Sequence, residues 1–254
     1  MTLVSHKHHF VLLRTKKTAG TSLEMALEPL CAPEGHVAHT ASEGYAGPEG
    51  IIGVRHSSRR DFEPGLWAHS NARFVKRLIG AEVFETYLKI APVRNPFDKA
   101  VSWFFYSQGK KIARHQGKDA ATAWRSSLSN AQKVENFRAD LAAQAANDNL
   151  KPRATKDYKV CHINGACVID RFLRLEALRA DLDAVLAELG ITPATVEMGR
   201  EKIDRRPADD LAISDYYDTP SADLIRHAYG WMFEAGGYSP DPRDAHRASE
   251  TLVA

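Results

Sequence analysis

Long apolar runs are missing from this chain. No stretch approaches the roughly 18–20 consecutive apolar residues of a membrane-spanning helix, so none is expected. The first residues, Met1-Thr2-Leu3-Val4-Ser5-His6-Lys7-His8-His9, lack the apolar core of a secretion signal. Cysteine is scarce as well. Cys31, Cys161 and Cys167 are too few for a disulfide framework, which points to a reducing, cytoplasmic compartment. An excess of one charge is also absent. The formal net charge of +2 provides no global attraction for nucleic acid or an anionic membrane, so anion binding must come from local clusters. There is no internal repeat, and no metal site is expected. His6, His8 and His9 are assigned to a frayed, solvated N-terminus.

What is present suits a soluble globular protein. With 254 residues, 44% hydrophobic and 26% charged, the chain can bury a sizeable core. No convincing linker interrupts it, so a single domain over residues 1–240 is expected, followed by a tail at 241–254. Phe10-Val11-Leu12-Leu13 has the composition of a buried parallel strand. Leu23, Ala26, Leu27 and Leu30 then recur at helical spacing. Residues 31–66, rich in Gly, Pro, His and Ser, predict a long surface excursion. Ser70 is placed to cap a helix running to Ile79, with Gly80 stopping it. Leu88–Val93 predicts a second buried strand, and Pro96 suits the first turn of a helix from Phe97 to about Ser107. Residues 109–150, rich in Ala, Gln and charge, predict exposed helices and loops. Asn164-Gly165 between Val160–Ile163 and Ala166–Ile169 predicts a hairpin with Cys167 near His162. Amphipathic helices are expected over Glu176–Leu189 and Ser221–Ala235. Tyr216-Tyr217, Trp231–Phe233 and Trp103–Phe105 are assigned to packing.

The sharpest chemical signal is the first strand-to-helix loop. Lys17-Thr18-Ala19-Gly20-Thr21-Ser22 offers backbone N–H groups at a helix N-terminus, an ammonium from Lys17 and three hydroxyls. Small residues let the backbone approach an anion, and the helix dipole favours negative charge there. This predicts a phosphate cradle. It lacks the G-x-x-x-x-G-K-[ST] spacing of a Walker A loop, because Lys17 precedes Gly20. A second segment, Val93-Arg94-Asn95-Pro96-Phe97-Asp98-Lys99-Ala100-Val101-Ser102-Trp103, puts Arg94 at a strand end. A guanidinium there can grip a phosphate bidentately, or it can pair locally with Asp98.

Together these segments resemble a known family. Lys17–Leu23 (K-T-A-G-T-S-L) resembles the 5′-phosphosulfate loop of sulfotransferases that use 3′-phosphoadenosine 5′-phosphosulfate (PAPS), above all the carbohydrate-type and bacterial branch. Arg94–Ser102 resembles that family's 3′-phosphate motif. Asp170–Glu176 and the closing Gly236-Gly237-Tyr238 extend the likeness over about residues 10–240. Lys16 is a departure, since many members carry Pro there.

The resemblance implies a P-loop-like, three-layer α/β fold whose central parallel sheet is flanked by helices, with PAPS bound at the strand C-termini. By transfer, Lys17 contacts the bridging oxygen. Thr18, Ala19, Gly20, Thr21 and Ser22 hold the 5′-phosphate. Arg94 and Ser102 hold the 3′-phosphate, with Arg205 and Arg206 reaching it from a later loop. His69 matches the place where the branch carries its catalytic base, and His56 is the rival. The implied activity is metal-free, in-line sulfuryl transfer to an acceptor hydroxyl of a carbohydrate or glycolipid. The alternatives are a small-molecule kinase of P-loop type, disfavoured by the missing G-K-[ST], and a nucleotide-binding module without chemistry, disfavoured by the intact Lys17.

Overall fold

The computed structural model describes residues 1–55, 65–148, 150–199 and 210–246, with backbone alone at 151–154. In chain order the elements are β1 (Leu3–Ser5), β2 (Phe10–Leu12), α1 (Gly20–Leu27), β3 (Tyr45–Gly47), β4 (Gly50–Ile52), α2 (Ala72–Ile79) and α3 (Ala81–Thr86). There follow β5 (Leu88–Val93), α4 (Pro96–Gln116), α5 (Lys118–Ser127), α6 (Asn130–Ala146), α7 (Lys151–Cys161), β6 (His162–Ile163) and β7 (Ala166–Cys167). The last are β8 (Arg171–Arg174), α8 (Leu178–Glu188) and α9 (Thr219–Gly236). They group into two compact units, Met1–Val93 with Thr155–Glu201, and Arg94–Ala154 with Lys202–Ala254.

The first unit holds a six-stranded sheet in the order β3-β4-β1-β2-β5-β8. It is mixed, which corrects the expectation of a parallel sheet. Only β2, β5 and β8 run parallel, with Leu12 opposite Ile90 and Val93 opposite Arg174. The pairs β3–β4, β4–β1 and β1–β2 are antiparallel. Connection length explains the difference. Four residues separate β1 from β2, and Pro48-Glu49 alone separates β3 from β4. Such tight turns join antiparallel neighbours, whereas parallel neighbours need a crossover of a dozen or more residues.

The N-terminus is likewise not frayed. Met1, Thr2, Leu3 and Val4 are all fully buried, because β1 is a central strand flanked by β2 and β4. The histidines occupy the β1–β2 turn, where His6 Nδ1 lies 3.0 Å from the Tyr87 hydroxyl. The Gly- and Pro-rich excursion contains the β3–β4 hairpin, which its composition conceals. Helix α2 is capped by Asn71, which accepts the Phe74 N–H at 2.8 Å, one residue later than expected. Ser70 instead folds back on Trp67. The hairpin at Asn164-Gly165 is present with His162 opposite Cys167, though Val160 and Cys161 end α7.

The second unit is helical. The Asn95 side chain accepts the Phe97 N–H at 3.0 Å and Pro96 opens α4. The helix continues past Ser107 to Gln116, with its last buried position at Gly109. A Cβ on Gly109 would stand 2.1 Å from Arg125 Nη2, so this glycine is what lets the Arg125 side chain lie against α4. Phe97, Phe104, Phe137, Tyr216 and Tyr217 form an edge-to-face core, with Phe137 and Tyr217 centroids 5.2 Å apart. Each such pair adds about 0.5–1.5 kcal/mol beyond its burial. Asp218 caps α9, which matches its expected span to within two residues.

Candidate functional site

The cradle loop begins where β2 ends. Leu13 still bonds to β5, its N–H donating to the Ile90 carbonyl at 2.8 Å. The fully buried Thr15 hydroxyl donates to the Pro92 carbonyl at 2.5 Å. Thr18 Oγ1 donates back to the Thr15 carbonyl at 3.2 Å. The Lys16 N–H donates at 3.0 Å to the carboxylate of Asp157, which is 1% exposed on α7. The loop is thus tied to a strand, to itself and to a helix.

These ties hold an uncommon backbone. Lys17 (φ 59°) and Ala19 (φ 47°) are both left-handed although neither is glycine. That conformation costs an L-residue roughly 1–2 kcal/mol and persists only where the surroundings over-determine it. Left-handed residues in succession with right-handed ones turn backbone N–H groups to one side, forming an anion-binding concavity. Helix α1 begins directly afterwards at Gly20, with no side-chain cap and no acidic residue in its first turn. Its positive end is therefore not offset by a carboxylate of its own first turn.

Behind the cradle lies a buried ionic network. Arg14 Nη1 reaches both oxygens of Glu24, at 2.9 and 2.8 Å, and Nη2 donates to Thr21 Oγ1 at 3.2 Å. Glu24 also pairs with the Met1 amino group and with Arg55, 3.5 Å away. Arg55, itself 1% exposed, holds Glu28 at 2.7 Å. Paired carboxylates and cations tolerate such burial, whereas removal of one partner strands the other.

His69 belongs to the same unit. Its backbone is left-handed (φ 64°) and its Nδ1 lies 3.0 Å from the Arg14 carbonyl. A carbonyl can only accept, so Nδ1 carries the hydrogen and Nε2 keeps its lone pair. Burial, followed by the Arg14 charge, pushes the imidazole pKa down to about 3, with the Met1 amino group and Lys16 acting in the same direction. His69 is therefore a neutral base throughout the physiological range. In the unfolded chain it takes up a proton near 6.5, so stability is lost as pH falls from there toward 3. Thermal melts between pH 7 and pH 4 should show a smaller acid loss in His69→Gln than in the wild type.

The second predicted grip lies in the other unit. Arg94 donates through Nε to Asp98 Oδ2 at 2.7 Å, and its Nη2 is 2.7 Å from the same oxygen. Asp98 is fully buried, so the guanidinium is anchored against the first turn of α4. Ser102 follows one turn later on the same face and is 8% exposed. His56, Arg205 and Arg206 lie outside the described residues.

A recess of about 350 Å³, lined in part by His9, Tyr87, Lys89, Asp170 and Glu188, opens at the N-terminal ends of β2, β5 and β8. It faces away from the cradle, and its carboxylates are engaged, Asp170 with Lys89 and Glu188 with Arg171, each at 2.9 Å. Sequence reasoning missed Arg14, Glu24 and Asp157. A signal existed for Glu24, a charged residue inside an otherwise buried apolar helix.

Parallel strands β2, β5 and β8, with a clasped, left-handed loop leading from β2 into an uncapped helix start, define a mixed α/β protein. The sequence profile of the sulfotransferase family matches residues 1–219, and the chain belongs to that family. Neither a curated protein nor a solved structure matches it. Among the described residues no helix is long and apolar enough to cross a membrane.

Proposed function

We propose that this protein moves a sulfuryl group from PAPS to an acceptor hydroxyl of a carbohydrate or glycolipid on a P-loop-like scaffold. One observation carries this: a strained, triply tied loop at the bare N-terminus of α1, in the same unit as a histidine whose Nε2 keeps its lone pair. Family membership supplies the sulfuryl group.

In this reading the N–H groups of Thr18–Ser22 hold the 5′-phosphate, and Lys17 offsets charge on the bridging oxygen. Arg94 and Ser102, joined by Arg205 and Arg206, hold the 3′-phosphate. As the acceptor oxygen bonds to sulfur, the bond from sulfur to the bridging oxygen breaks and its electron pair leaves with the phosphate. His69 Nε2 takes the acceptor proton. The product nucleotide is 3′-phosphoadenosine 5′-phosphate (PAP). Such loose, in-line transfers depend on positioning and electrostatics.

The test compares ligands and one variant. PAP should raise the melting temperature far more than ADP, with or without Mg²⁺. Arg94→Ala should weaken PAP roughly 10- to 100-fold, the value of hydrogen bonds to a charged group, and leave ADP unchanged. Equal stabilisation of the wild type by PAP and ADP would transfer the protein to the kinase class.

A further inference from the structure

We infer that Arg14 is a positioning residue serving both halves of this site, its carbonyl fixing the His69 ring, and its guanidinium opposing positive charge on that ring and committing the Thr21 hydroxyl as a donor. This rests on the sulfuryl-transfer function proposed above and adds a residue to it.

The geometry separates Arg14 from an anion ligand. Its side chain crosses the start of α1, where a Cβ on Gly20 would stand 2.4 Å from Nε and 2.9 Å from Cδ. Gly20 is thus the residue that lets the side chain pass. At the far end the guanidinium forks, Nη1 reaching both oxygens of the fully buried Glu24 and Nη2 reaching Thr21. A guanidinium so paired is held by Glu24 and by Thr21. Its contact with Thr21 is directional. Nη2 donates to Thr21 Oγ1, and a hydroxyl has one hydrogen of its own, so that hydrogen must point elsewhere. Thr21, 4% exposed in the first turn of α1, is thereby turned from an ambivalent hydroxyl into a committed donor. The Arg14 backbone meanwhile accepts the His69 Nδ1–H, which leaves Nε2 as the base. The cations facing His69 are Arg14, Lys16 and the Met1 amino group. Glu24 is the countercharge to Arg14 and to Met1.

Three full-length variants test this: Arg14→Lys, Arg14→Gln and Thr21→Val. The readouts are PAP affinity and the NMR titration of the His69 ring, assigned by its loss in His69→Gln. Arg14→Lys keeps the charge but loses the fork. It should weaken PAP about tenfold and leave the His69 titration where it is. Thr21→Val should weaken PAP by a similar factor, and combining the two should cost no more than Thr21→Val alone. Arg14→Gln should raise the His69 titration toward the ordinary histidine range. Additive losses in the double variant, or an unmoved titration in Arg14→Gln, overturn the inference. If the wild type binds PAP no better than ADP, the donor assignment falls, while the His69 titration still decides whether Arg14 governs that ring. Glu24 keeps Met1 and Arg55 when Arg14 changes, and Arg14→Lys restores a cation beside it, so folding is preserved for the comparison.

Discussion

Lys17→Ala should lower kcat by about 10²–10³-fold, the usual loss when one preorganised charge is withdrawn from a developing anion. The effect falls on kcat because charge gathers on the bridging oxygen only as the bond to sulfur breaks. PAP affinity should change by no more than about threefold, because the cradle N–H groups and the start of α1 remain. The variant should also fold, since an alanine at position 17 meets the same left-handed backbone as the lysine and as the neighbouring Ala19. Single-turnover rates with labelled PAPS against calorimetric PAP affinity separate the two terms. A variant that transfers at near wild-type rates removes Lys17 from the chemistry. One that loses PAP and kcat together makes it a general anchor.

His69→Gln should lower kcat by about 10²–10⁴-fold, the range for a positioned base. Glutamine can still donate to the Arg14 carbonyl, but its amide is far too weak a base to take a proton. The pH profile is the sharper signature. The wild-type rate should fall as acid protonates Nε2, and in the empty enzyme that happens only toward pH 3. A bound nucleotide brings several negative charges, which favour the imidazolium and oppose the pull of Arg14, Lys16 and the Met1 amino group. The acid limb measured at saturating PAPS should therefore lie at higher pH than the titration of the empty enzyme, and it should vanish in His69→Gln. A glutamine variant within a few-fold of the wild type at neutral pH would exclude His69 as the base.

Much of this architecture could be read from the chain because its signals are local. Leu88–Val93 is a largely apolar run, Pro96 marks the first turn of α4, and Gly236-Gly237 closes α9. Strand β1 escaped because three residues beside a histidine cluster carry no periodicity, and its burial comes from β4, more than forty residues away. The β3–β4 hairpin escaped for a related reason, since Gly and Pro dominate its composition and its pairing is tertiary. At the site, Lys17–Ser22 announced itself through small residues around a lysine. Arg14 did not. Its function depends on Glu24, Thr21 and His69, and the last of these is brought to it by the fold across 55 positions. Arg55 and Glu28 are likewise ordinary surface types in sequence and become core residues only as partners.

Ala19 carries a consequence for how a ligand arrives. Glycine at that position would adopt the same angles freely, and the alanine narrows what the loop can do on its own. With the Thr15 and Lys16 ties holding the other end, the loop's shape is set by the protein's own bonds. In the proposed function, an arriving nucleotide would then need no folding of the loop around its phosphates. Association can run at the speed of orientation and diffusion, and discrimination among nucleotides falls to how quickly the wrong ones leave.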